Sequence, residues 1–232
     1  MPLDPTRLVP AIRRDAELIA STSFEAWPEA AQAAALAEPL VSLRLSPSDL
    51  DRLLRHNTSY RTRYGIAAAP AVDDLAARLS AVVPAVTIFP KLGPLSWKET
   101  PWLARLDGAA AGLWSGVLLR SATDRMALVL EAWLTLEQSA FLHLFPHLDL
   151  AGAAEIRFAV RGGTIRPVRR RDGGDHLALF SGSDAQDFVR SLVARTSLDR
   201  VFVDVIDRGA GNLRIVDINP ILDDRRRLGR AA

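Results

Sequence analysis

The 232-residue chain contains no cysteine, which excludes a disulfide framework and any thiolate metal site. Aromatic residues make up only 6%, and 29 Lys and Arg face 27 Asp and Glu, so the net charge is +2. That balance is too near neutral to argue for a nucleic-acid or membrane partner from charge alone. No apolar run approaches the roughly 20 residues that span a bilayer. The opening MPLDPTRLVPAIRRD lacks the apolar core of a signal peptide, so a cytoplasmic soluble protein is the expectation. Familiar catalytic and nucleotide motifs are missing too. There is no GxxxxGK(S/T), GxSxG, HExxH or EF-hand loop, and Gly209 and Gly211 lack the third glycine and following helix of a dinucleotide fingerprint.

What is present is ordinary for a folded domain, with 49% hydrophobic and 24% charged residues. Residues 11–38 are Ala-rich and predict one or two helices interrupted around STSFEAWPE. Ser46, Pro47 and Asp49 form a capping-box-like start for a helix carrying Leu50, Leu53 and Leu54. Val72, Leu75, Leu79 and Val82 recur at helical spacing. From Ala85 the texture becomes strand-like, in AVTIFPKL, GLWSGVLLRS and ALVLEAWL. LTLEQSAFLHLFPHLDL reads as a short helix broken by Pro146 or as a loop. Its His143 and His147 stand four apart, but with Pro146 between them and no third ligand nearby they read as ordinary histidines. EIRFAV and TIRPVRR predict a hairpin over Gly162 and Gly163. GSDAQDFVRSLVART predicts a helix capped by Ser183 and Gln186, with Phe188 and Leu192 facing inward.

The chemistry concentrates in VFVDVIDRGAGNLRIVDINP at 201–220, two β-branched runs around a turn. Alternation puts Phe202, Asp204 and Ile206 on one face, and Leu213, Ile215, Asp217 and Asn219 on one face of the second run. A four-residue loop at 209–212 sets Asp204 directly across from Asp217. Opposed carboxylates repel unless something cationic lies between them, and Asp, Asp and Asn form an oxygen-only set suited to magnesium. Across the other hairpin, Arg157 pairs with Val168, which brings Arg166 and Arg170 onto the face of Arg157. That cluster suits a triphosphate as well as it suits a surface. Lys91 and Lys98 flank a polar loop, Arg120 ends one expected strand and Glu131 lies near the end of the next. This order supplies cations for phosphates, an edge for a base and carboxylates for magnesium, the parts phosphoryl chemistry needs.

Several stretches together resemble the cell division cycle protein 123 family, whose members have an ATP-grasp fold. FEAWPE at 24–29 resembles the family's F-x-x-W-Y-P, and FPKLGPLSWKETPW at 89–102 resembles FPKLNWSAPKDAxW. LLRSATD at 118–124 is similar to LLKSSD, and LVLEAW at 128–133 to LVLRKW. EIRFAVRGGTIRPVRRRD at 155–172 is similar to EFRxFV followed by QRD, and VDVIDRGAGNLRIVDINP ends like the family's DVY and DFNP. The resemblance implies an α+β fold of two lobes, mainly antiparallel sheet with packed helices, and ATP held between the lobes. It implies that Lys91 and Lys98 contact phosphates, with Arg120 replacing a lysine. The backbone of Leu130, Glu131 and Ala132, beside Trp133, would form the hinge that pairs with adenine. Arg157 would meet the phosphates, while Asp204, Asp217 and Asn219 would hold magnesium.

The chain departs from the family pattern in three places. Glu131 stands where the family has arginine, the stretch between Trp133 and Glu155 is longer and so contains an expected insertion, and the chain stops soon after Pro220. The Ala-, Arg- and Leu-rich composition fits a high-GC genome and a short bacterial member. Eukaryotic members assist assembly of translation initiation factor two through its gamma subunit, a partner a bacterial chain would lack. The expected division is 1–126 for a helical region with the first lobe and 127–232 for the second. The expected function is magnesium-dependent ATP binding, either by an ATP-dependent carboxylate–amine ligase or by a nucleotide-dependent assembly factor with a protein partner. In the ligase, Arg157 and Lys91 would stabilise the developing charge. A module that holds nucleotide without turnover, or an RNA-binding protein using the arginine face, are the alternatives.

Overall fold

A computed structural model describes residues 5–97, 100–150, 153, 155–168, 182–209 and 211–222. Its elements begin with α1 (Pro5–Ser21), α2 (Glu29–Ala33), β1 (Val41–Leu45), α3 (Pro47–Leu54), α4 (Thr58–Tyr64) and α5 (Asp73–Val82). Next come β2 (Thr87–Leu92), β3 (Leu95–Ser96), β4 (Leu106–Asp107), α6 (Ala111–Arg120), α7 (Asp124–Thr135) and β5 (Ala140–Pro146). The series closes with β6 (Glu155–Arg161), β7 (Thr164–Val168), α8 (Gly182–Ala194), β8 (Val201–Asp207) and β9 (Leu213–Pro220). The result is an α+β chain with two antiparallel sheets. It divides into two compact units, Met1–Glu25 with Ala37–Asp149, and Ala26–Leu36 with Leu150–Ala232. The division expected after residue 126 falls inside α7. No helix among the described residues is long and apolar enough to cross a membrane.

In the first unit the sheet order is β1-β5-β2-β3, with β4 also paired to β2. Leu142 and Leu144 of β5 are buried on one face of that sheet. Leu45 and Leu92 join Leu53, Leu118, Met126 and Leu130 of the helices around a small apolar void. The capping box at the start of α3 forms as expected: Ser46 Oγ accepts from Asp49 N at 3.2 Å, and Asp49 Oδ2 accepts from Ser46 N at 3.0 Å. Burial pushes the Asp49 carboxyl up, but its hydrogen bonds with Ser46 and Arg78 outweigh that and hold it below the usual value.

Two expected strands are helices. GLWSGVLLRS lies in α6, where Ala111, Trp114, Ser115, Leu118 and Leu119 are buried while Leu113 is 84% exposed. ALVLEAWL lies in α7, with Thr123 as its N-cap, accepting from Met126 N at 3.3 Å. Both runs are so uniformly apolar that the helical period is hidden, and short apolar runs do not reveal their period. The stretch expected to contain an insertion holds β5, which pairs with β1 on one side and β2 on the other and is therefore central to its sheet. His143 and His147 are accordingly not one helical turn apart.

The second unit carries the sheet β7-β6-β8-β9. Gly162 and Gly163 turn the β6–β7 hairpin with φ of 54° and 71°, the left-handed pair that a two-residue turn requires. Ile156, Phe158, Val160, Val203 and Val205 are buried on one sheet face, the face α8 covers. The buried stripe of α8 is Ala185, Val189 and Leu192, with Phe188 at its margin. The Ser183 side chain, and with it the expected cap, lies outside the described residues. The outer edge of β9 is covered by the segment after α2. Ile215 N donates to Ala34 O at 2.9 Å and Leu36 N donates to Ile215 O at 2.8 Å, which removes an exposed strand edge.

Candidate functional site

The second unit's hairpin places the acidic residues as expected, but by a different route. The turn between Asp207 and Leu213 is one residue longer than the four-residue loop, which alone would slip the register. A bulge then restores it: Asp204 pairs with Asp217 and Val205 with Ile215, leaving Val216 as the extra residue. One consequence corrects the face assignment. Leu213 and Ile215 lie on the core face with Val205, whereas Asp217 and Asn219 lie on the opposite face with Asp204 and Phe202. A bulge of this kind re-aims side chains beside functional sites. Because Val216 is outside the ladder, deleting it should leave both faces intact and cost about 1 kcal/mol, within the ordinary range for a point change. Unfolding of the deletion variant in a denaturant titration would show that Val216 belongs to the ladder.

Asp204 is 1% and Asp217 5% exposed. The cation that such a pair requires is Arg157, directly across from Asp204 on β6. Its Nε donates to Asp204 Oδ1 at 2.7 Å and its Nη2 to Oδ2 at 2.6 Å, a two-pronged charge-assisted contact. This bond raises the Arg157 guanidinium above its ordinary value, against the opposing effect of burial. The guanidinium also lies 5.3 Å from the centroid of the Phe202 ring, a cation–π distance. Asn219 Nδ2 reaches Asp204 Oδ2 at 3.5 Å. Phe202 and Val216 were absent from the expected site. Phe202 was visible as a face-mate of Asp204, but Val216 had no local signal.

Asp204, Asp217 and Asn219 share one face, and a carboxylate holding a bidentate guanidinium still has lone pairs for another partner. Among the described residues no group of three or more His, Cys, Asp or Glu could hold a metal ion, so a soft-metal or all-carboxylate cage is not built here.

The other expected residues lie on several elements. Lys91 lies on β2, 8% exposed, with Nζ 5.8 Å from the Phe145 centroid. Lys98 and Arg170 lie outside the described residues. Arg166 stands across from Ala159, on the face of Arg157. Arg120 ends α6 rather than a strand, and its Nη2 donates to Asp73 Oδ1 at 2.6 Å on the unit surface. Leu130, Glu131, Ala132 and Trp133 sit within α7. Their backbone serves the helix end: Leu136 N donates to Ala132 O and Gln138 N to Trp133 O, each at 3.1 Å, and the Thr135 hydroxyl donates to Glu131 O at 2.7 Å. A backbone engaged in this way offers no open edge to a base.

Antiparallel sheets with packed helices in this arrangement are found in known structures. The chain is similar to Cdc123 from Schizosaccharomyces pombe, at a TM-score of 0.56 and 17% identity, over 88% of this chain and 85% of that one. A C-terminally truncated Cdc123 from the same organism matches at a TM-score of 0.56 and 14% identity, over the same shares of the two chains. No family profile matches the chain, and no curated protein does. The chain thus has a Cdc123-like fold.

Proposed function

We propose that the chain is an ATP-grasp-like protein that binds a nucleoside triphosphate with magnesium at the β8–β9 hairpin. One observation carries this reading: two nearly fully buried carboxylates face each other against one guanidinium. Asp204 and Asp217 are both buried on one sheet face beside Arg157, and carboxylates brought together out of water favour a cation close to them. Asp204, Asp217 and Asn219 would hold the metal, which supplies charge neutralisation for the phosphates. Arg157 commits Nε and Nη2 to Asp204 and has further N–H groups for a phosphate oxygen. The adenine edge is the part of the expected site for which the helical α7 backbone gives least support.

Titrating ATP into the protein with and without magnesium tests the proposal. Asp217→Ala should weaken the magnesium-dependent component by about tenfold or more, the scale on which altering a metal's surroundings acts. Unchanged affinity would make the hairpin structural, and a wild type that binds no ATP would sink the proposal itself. A ligase releases ADP in response to a candidate acid and amine, whereas an assembly factor shows no such stimulation.

A further inference from the structure

In the first unit, three side chains are joined end to end. Ser42 on β1 stands directly across from His143 on β5, and its Oγ lies 2.8 Å from His143 Nδ1. The other ring nitrogen, Nε2, lies 2.7 Å from Glu25 Oε2, on the short 3-10 turn Phe24–Ala26. His143 is 2% exposed, while Ser42, at the outer end of the relay, is exposed. Aromatic rings fix the imidazole plane. Phe141 stacks on it with 13° between planes and Phe24 meets it edge-on, with centroids 5.9 and 5.8 Å away.

The chemistry follows from the proton positions. A carboxylate accepts only, so Glu25 holds the imidazole proton at Nε2 and leaves the Nδ1 lone pair for the serine hydroxyl. A hydroxyl bonded to a base that a third group orients is the signature of an activated nucleophile. Arg44, two residues along β1 from Ser42, and Lys91, across from His143 on β2, place positive charge on the same sheet face. That charge favours an anionic adduct.

We propose that Ser42 is a nucleophile toward carboxylic esters, with His143 as its general base and Glu25 as a positioning residue. Ser42 Oγ forms a bond to the carbonyl carbon while its proton passes to His143 Nδ1. The tetrahedral adduct then expels the alcohol, which takes that proton as its C–O bond breaks. Water repeats the sequence: it attacks the acyl carbon, gives its proton to Nδ1, and frees the carboxylic acid and the Ser42 hydroxyl. The surrounding phenylalanines favour an apolar or aryl acyl group.

The full chain, without nucleotide, is treated with a fluorophosphonate and, separately, with p-nitrophenyl acetate. One phosphonyl group per chain should map to the Ser42 peptide by mass spectrometry, and Ser42→Ala should abolish it. Glu25→Gln, with an unchanged circular dichroism spectrum, should slow labelling and nitrophenol release by about 100-fold. Glu25→Asp, which keeps the charge, should recover part of that loss. An unlabelled wild type, or an adduct that survives Ser42→Ala, overturns the proposal. Labelling indifferent to Glu25→Gln removes Glu25 from it. Because ATP is absent throughout, none of these outcomes bears on magnesium–nucleotide binding.

Discussion

Arg157→Ala should destabilise the second unit by about 3 kcal/mol in a denaturant titration, near the low end of what breaking a buried ion pair costs. The low end applies because the Arg157 side chain is 34% exposed, although that of Asp204 is only 1%. The loss arises mainly from Asp204, which would remain buried beside Asp217 with the charge opposite it removed. A paired replacement separates structure from function. Arg157→Met with Asp204→Leu removes both charges and fills the space with apolar atoms, so most of the stability should return. Magnesium-dependent nucleotide binding should not return with it. If the double variant still binds ATP with magnesium, the buried pair is a structural clasp and the ligand lies elsewhere. If Arg157→Ala is as stable as wild type, the two-pronged contact contributes nothing and Asp204 does not need a cation across from it.

The parts of this fold legible in the sequence were those whose signals are local and chemical. Ser46, Pro47 and Asp49 announce a helix start because side-chain oxygens meet the orphan N–H groups there. Gly162 and Gly163 announce a turn because both adopt positive φ. The pairing of Asp204 with Asp217 was legible for a less secure reason, since the longer turn and the Val216 bulge offset each other. Nothing in LRIVDINP marks Val216 as the residue to leave out. Tertiary burial, not local preference, puts Leu213 and Ile215 on the core face. The first unit was harder to read. In α6 the exposed Leu113 and Val117 erase the polar face that would reveal a helix, although in α7 the Thr123 cap was available as a signal. β5 shows clean alternation, with Ala140, Leu142 and Leu144 on one face and Phe141, His143 and Phe145 on the other. The spacing of four between His143 and His147, the latter just past the end of β5, matches a helical period instead.

Trp133→Ala should cost the first unit about 4 kcal/mol, within the range for emptying a buried aromatic site. Trp133 is 2% exposed and among the largest fully buried side chains described. Its ring fits so closely beneath the β2–β3 turn that a Cβ on Gly93, where φ is +55°, would overlap it. That closeness separates the two roles open to this residue. As a packing residue, Trp133 can be replaced by phenylalanine at a moderate cost in stability, because most of the ring volume is kept. A folded Trp133→Phe protein should then bind ATP as wild type does, because the neighbouring backbone carbonyls already serve the end of α7. As part of a nucleotide hinge, the same substitution would weaken ATP binding in a protein that still unfolds cooperatively. Unfolding and nucleotide titrations on that single variant decide between the roles. The helix favours packing, so the adenine edge, if the chain has one, should come from elsewhere than Leu130, Glu131 and Ala132.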